Sequence, residues 1–238
     1  EKKSFLGDDQ TVYLPYYFYA ERSVVSDLSR LMNTSKDSLG FLSAIDWQSV
    51  EKNSQLPGFD LTEEQSEAVE MVFKNRVSIL TGGPGTGKST ITGNIIQYVQ
   101  SFGNSILLAA PTGRAAKRLS ETTKMDALTI HRLLEYSPQS DSFSRNRSNP
   151  LKTDMIIIDE ASMIDILLMK SLMEAITDGT HILFIGDADQ LPSVGAGNVL
   201  RDMIESGVIP TIRLTQIFRQ SENSYIIENA HLINHGEI

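Results

Sequence analysis

The chain has 238 residues, 40% of them hydrophobic and 21% charged, with no cysteine and a formal net charge of −9. That length holds one good core with additions, or two small domains. The composition excludes wholesale disorder, disulfides and thiolate metal sites, and the acidity excludes a protein that coats nucleic acid by bulk charge.

No apolar run is long enough to cross a bilayer, and Glu1-Lys2-Lys3-Ser4 opens no signal-peptide core. With cysteine lacking, this leads us to expect a cytoplasmic protein with no membrane partner. The start without Met and the abrupt end at Ile238 read as a piece of something longer.

In chain order, residues 1–55 form a first, mainly helical segment, in which Val24, Val25, Leu28, Leu31 and Met32 recur at helical spacing. Pro57-Gly58 marks a linker or turn over residues 53–60. From Leu61 onward helical patterns alternate with short apolar runs at 77–80, 106–110, 155–158 and 181–185. Continuous apolar runs of that length suit strands of a parallel sheet buried on both faces, joined by right-handed crossovers: an α/β fold. Ile91, Ile95, Ile96, Val99 and Phe102 mark one of the intervening helices. Residues 137–152 are polar and read as a surface loop or hairpin. Residues 111–152 carry eight Lys or Arg against four Asp or Glu, a local net of +4. Such a stretch either tracks a phosphate backbone or is a solvated face.

The most specific signal is Gly82-Gly83-Pro84-Gly85-Thr86-Gly87-Lys88-Ser89, which fits G-x-x-x-x-G-K-[ST] between a strand and a helix. Gly83, Gly85, Thr86, Gly87 and Thr90 belong to a loop and helix start whose N–H groups can point at phosphate oxygens. Lys88 places a point charge on the outer phosphates of ATP, and the Ser89 hydroxyl can ligate Mg²⁺. This predicts a P-loop NTPase. The run 155–158 delivers Asp159 and Glu160 at a strand's carboxyl end, where ligands bind in open α/β sheets. Asp159 would hold Mg²⁺, directly or through water, and Glu160 would deprotonate the attacking water. Gln190 ends the next strand-to-loop segment and serves as a γ-phosphate sensor or as a polar turn residue.

Beyond the P-loop, several longer stretches resemble the RecD-like family of superfamily 1 DNA helicases, exodeoxyribonuclease V alpha subunit-like. They are Ala110-Pro111-Thr112-Gly113-Arg114-Ala115-Ala116-Lys117-Arg118-Leu119, Thr129-Ile130-His131-Arg132-Leu133-Leu134, Asp159-Glu160-Ala161-Ser162-Met163, residues 186–198 and Leu214-Thr215-Gln216-Ile217-Phe218-Arg219-Gln220. The resemblance implies a RecA-like ATPase domain over 56–215, with 216–238 beginning a truncated second motor domain. It implies an ATP-dependent motor on single-stranded DNA, moving 5′ to 3′ at full length and weakly active as this segment alone. It assigns Gln65 to the adenine, although Thr62 and Gln65 equally make a capping box. It assigns Thr112, Arg114, Thr129 and His131 to the DNA strand, with a hydrogen-bonded core histidine the other reading of His131. Arg219 looks like the arginine finger, catalytic with Lys88, Glu160 and Gln190. A nuclease or repair partner is left open.

Other readings fit less well. A superfamily 2 RNA helicase is disfavoured because Ala-Ser follows Asp159-Glu160, no Ser-Ala-Thr occurs, and Gln190-Leu191-Pro192 resembles superfamily 1. A GTP switch lacks Asn-Lys-x-Asp. A nucleotide-gated DNA- or protein-binding module without helicase activity is the alternative.

Overall fold

The computed structural model describes residues 5–6, 12–45 and 61–216. The linker expected at 53–60 and the expectations placed on 217–238, Arg219 included, lie outside the described residues.

A short antiparallel pair, β1 (Phe5–Leu6) and β2 (Val12–Tyr13), precedes α1 (Pro15–Asn33) and α2 (Gly40–Ser43). There follow α3 (Glu63–Lys74), β3 (Val77–Gly82), α4 (Lys88–Ser101), β4 (Ile106–Ala110), α5 (Gly113–Thr123), β5 (Ala127–Thr129) and α6 (Ile130–Leu133). A small hairpin, β6 (Tyr136–Ser137) with β7 (Ser142–Phe143), falls in the expected polar segment. The chain then forms β8 (Met155–Ile158), α7 (Ile166–Glu174), β9 (His181–Gly186), α8 (Val199–Glu205) and β10 (Thr211–Leu214).

Six strands make one sheet in the order β10-β3-β9-β8-β4-β5, every pair parallel. All residues of β3, β8 and β9 are buried, which is why their sequences are largely apolar with no regular alternation; Ser78, Thr81 and His181 are the buried polar exceptions. Successive side chains still divide between two faces. Ile156, Ile158, Ile182 and Phe184 join a core with α1, α6, α7 and α8. Met155, Ile157, Leu183 and Ile185 join a second core with α2, α3, α4 and α5. The result is the three-layered α/β architecture the alternating pattern predicts.

The helical N-terminal segment is part of this body. Pro15 occupies the first turn of α1, where its missing N–H costs nothing. Ala20, Val24, Leu28 and Leu31 then bury one face in the core shared with α7, while Val25, at adjacent spacing, is exposed. Buried Asp27 accepts from Arg30 Nε at 3.1 Å and from Arg147 Nη2 at 2.8 Å. Arg147 thus clamps the polar 137–152 segment to α1. On the opposite side of the sheet's amino edge, Asp37 Oδ1 lies 2.7 Å from Nε2 of buried His181.

Leu31 is fully buried between layers, so Leu31→Ala should cost about 2–5 kcal/mol in chemical denaturation. A loss below about 0.5 kcal/mol, the range of ordinary surface substitutions, would show that α1 is not part of the core.

Candidate nucleotide-binding and catalytic site

Because the strands are parallel, their carboxyl ends share one edge. The P-loop follows β3, the Asp159-Glu160 pair follows β8, Asp187 to Gln190 follow β9, and Thr112 follows β4. A cleft of about 340 Å³ lies there, lined by P-loop residues 84–90 together with Asp159, Glu160, Asp187, Gln190 and Arg118.

The loop's shape depends on several of its glycines, Gly87 and Gly82 among them. Gly87 caps α4 with φ of 88°, a left-handed conformation that a side chain would strain. A Cβ on Gly82 would stand 2.9 Å from the Leu214 carbonyl of the neighbouring strand. No side chain caps α4, so its first N–H groups are left for a ligand at the positive end of the helix dipole.

Lys88 folds back over this loop, its Nζ donating to the carbonyls of Gly82 and Gly83, the latter at 2.8 Å. Burial pushes its ammonium below the usual lysine range, against the pull of Asp187, Asp159 and Glu160. Burial likewise pushes the Asp159 carboxyl up, opposed by the Glu160 N–H that Asp159 Oδ1 accepts at 2.9 Å and by Lys88. Glu160 is raised by burial and by Asp159, and lowered by Arg118 and Lys88. Its backbone sits at φ 53°, an uncommon conformation for a non-glycine residue that costs of order 1–3 kcal/mol. Asp159 N–H donates to the Ala109 carbonyl at 2.9 Å, which ties the pair to β4.

The donor set fits Mg·ATP. Ser89 and Asp159 offer the hard oxygens that Mg²⁺ prefers. Among the described residues no three Asp, Glu, His or Cys side chains form a metal nest. A cation here would therefore take its other ligands from phosphate and water.

The remaining expected residues are placed as follows. Ser89 and Thr90 line the cleft at the start of α4. Gln190 lines it too, its Nε2 lying 3.4 Å from Asp187 Oδ2. Gln65 is buried in a reciprocal capping box, accepting from Thr62 N–H at 3.2 Å while Thr62 Oγ1 accepts from Gln65 N–H at 3.3 Å. It is not among the cleft-lining residues. Thr112 and Thr129 cap α5 and α6, each accepting a backbone N–H at 3.2 Å. Since Ala110 pairs with Thr129 across β4 and β5, the two caps stand on the same sheet edge. Arg114 is exposed. His131 is exposed as well, with Tyr136 and Phe143 ring centroids 5.5 and 5.6 Å away, so it is not a core histidine. Not all of the basic stretch is free of acidic partners: Arg145 pairs with Glu135 and Arg147 with Asp27. Reading the sequence missed Arg118 and Asp187 as cleft residues; only the Gly186-Asp187 strand end pointed to the second.

Strand-end P-loop, carboxylate pair and sheet order together define a P-loop nucleotide-binding domain, and a family model described as an AAA domain matches residues 65–196. The chain belongs to that AAA family. Over 227 residues it is 41% identical to the ATP-dependent RecD2 DNA helicase of Deinococcus radiodurans, covering 95% of this chain and 30% of that protein. It is 36% identical over 224 residues to the RecBCD enzyme subunit RecD of Mycobacterium tuberculosis, covering 84% of this chain and 37% of that one. The chain thus spans about a third of the length of these relatives. The crystal structure of Pif1 helicase from Candida albicans shares the fold, with a TM-score of 0.58 at 23% identity over 76% of this chain and 45% of that one.

The raised Asp159 carboxyl has a consequence for stability. A carboxyl raised on folding stabilises fully below its unfolded value, and that contribution is lost as pH rises through the folded value. At neutral pH, without nucleotide or magnesium, the raised Asp159 carboxyl therefore opposes folding. Asp159→Asn should melt higher than wild type at neutral pH, with the gap narrowing as pH falls into the carboxylate range. A variant that melts lower at neutral pH would contradict this.

Proposed function

We propose that the chain is the first RecA-like motor domain of an ATP-dependent DNA helicase, which hydrolyses ATP to move along single-stranded DNA, 5′ to 3′ in the full-length protein. The observation that carries the reading is the shared edge. The P-loop, Asp159 and Glu160 line one cleft, and the strand next to β8 leads directly into Thr112 and Arg114. A phosphate site and a strand-binding edge built on adjacent parallel strands are what a nucleotide-driven motor needs.

In this reading Lys88 leaves the Gly82 and Gly83 carbonyls for the outer phosphates. Gly83, Gly85, Thr86, Gly87 and Thr90 surround the phosphates at the start of α4. Ser89 and Asp159 would hold Mg²⁺, which would supply neutralisation of phosphate charge there. Glu160 takes the proton of the attacking water at its carboxylate, and its upward-shifted affinity for protons makes it a better base than an exposed glutamate. Gln190 senses the γ-phosphate through its carboxamide, beside Asp187. Arg219 would neutralise charge on the transferring phosphoryl group. Gln65 reads the adenine by exchanging its cap for the base. Thr112, Arg114, Thr129 and His131 contact the strand, and Arg114, as a phosphate contact, carries no base preference. The site has a base as well as a binding loop, which favours an enzyme over a nucleotide-gated binding module. We place the protein in the cytoplasm, where ATP and DNA meet.

Steady-state ATPase of the full-length protein, with and without single-stranded DNA, tests the reading. Wild type should be DNA-stimulated. Glu160→Gln should keep Mg·ATP affinity and lose about 10²–10⁴ in turnover. Hydrolysis by Glu160→Gln at the wild-type rate would remove Glu160 as the base. Absence of unwinding on both 5′-tailed and 3′-tailed duplexes would leave an ATPase that is not a helicase.

A further inference from the structure

Among the described residues, Arg118 and Lys88 are the two cations that line the nucleotide cleft. Arg118 reaches it from α5, on the side facing the carboxylate pair. Its Nη1 lies 4.0 Å from Glu160 Oε1. Arg118 is itself 68% exposed, so the pair is loose and solvent-screened, worth well under a buried ion pair. Its position along α5 gives it meaning. Arg118 is four residues after Arg114, hence on the same helix face and about 6 Å further along the axis. The amino end of α5 is the DNA-facing end in the reading above, and its carboxyl half lines the nucleotide cleft through Arg118, Leu119, Thr122 and Thr123.

A second link joins the same parts through the backbone. Asp159 N–H donates to the carbonyl of Ala109, three residues before the Thr112 cap that begins α5. The helix that would meet the strand and the loop that holds Glu160 are thus connected twice, once through β4 and once through the Arg118 side chain.

We propose that Arg118 is a positioning residue that couples DNA occupancy to hydrolysis, restraining the Glu160 carboxylate through their ion pair until a strand engages the amino end of α5. Without DNA, Glu160 Oε1 is drawn toward the guanidinium on α5, away from alignment with water at the γ-phosphate. When a strand's phosphates engage Arg114 one turn away, α5 shifts and the pair opens. The loose geometry suits this role: a pair worth less than about 1 kcal/mol can be broken by one phosphate contact, whereas a buried pair would lock the site. This rests on the ATPase reading of the cleft.

The test is steady-state ATPase of the full-length protein, with and without single-stranded DNA, for wild type, Arg118→Ala, Arg118→Lys and Lys117→Ala. Arg118→Ala should raise the DNA-free kcat about two- to fivefold, the size of an exposed ion pair. It should leave the KM for ATP unchanged, and the DNA stimulation ratio should fall by the same factor. Arg118→Lys, which keeps the charge, should hold the DNA-free rate near wild type. Lys117→Ala removes a like charge that pairs with Glu121 on the same helix and should leave both rates alone. A raised KM with a lowered kcat in Arg118→Ala, with or without DNA, would make Arg118 a phosphate contact and overturn the proposal. Unchanged DNA-free rate and stimulation would also overturn it, as would the same effect from Lys117→Ala, which would reduce it to net charge. Wild type without DNA-stimulated hydrolysis would instead overturn the ATPase reading, and this proposal with it.

Discussion

The in-register parallel pairing of β3, β9, β8 and β4 is the constraint on which everything else depends. Ile79 lies beside Phe184, Phe184 beside Ile158, and Ile158 beside Ala109. That register fixes where each strand stops. A P-loop after β3 and a carboxylate pair after β8 are 70 residues or more apart in sequence, yet they open into one cleft because β9 is the single strand between them. Burial on both faces makes the register hard to slip, since a one-residue shift would send the residues of one core into the other.

The same edge concentrates charge where water is scarce. Lys88, Asp159, Glu160 and Asp187 interact without nucleotide, and burial works against the charged form of Lys88, Asp159 and Glu160. Lys88 meets its need for acceptors from backbone carbonyls of its own loop. Glu160 is held in a left-handed backbone conformation. Stability is given up here and recovered in the two apolar cores, a distribution expected where a site is preorganised for developing charge.

Much of this was legible in the sequence, for identifiable reasons. The strands at 77, 106, 155 and 181 announced themselves because both faces are covered and few polar residues interrupt them, buried Ser78 and His181 being the exceptions. The P-loop and Asp159-Glu160 were legible because phosphate chemistry restricts residue types over a short span. Single side chains with two physical roles were less so. Thr112 and Thr129 were read through resemblance as strand contacts and serve as helix caps; Gln65 was read both ways and closes a capping box. Arg118 was unreadable as a cleft residue, because its closeness to Glu160 follows from β4 lying beside β8 and not from any local spacing. The docking of α1 was also hidden: its apolar spacing predicts a helix, but its partner α7 lies more than 130 residues away. Arg147 inflated the basic stretch, since Asp27 on α1, outside that stretch, pairs with its charge, whereas Arg145 pairs with Glu135 inside it.

We expect this sheet edge to receive the triphosphate of Mg·ATP. A crystal structure of the protein with magnesium and a non-hydrolysable ATP analogue tests it most directly. Lys88 Nζ should be detached from the Gly82 and Gly83 carbonyls and bonded to the outer phosphates, and Ser89 and Asp159 should be the residues that hold the cation. A nucleotide bound elsewhere, with Lys88 still resting on those carbonyls, would contradict it.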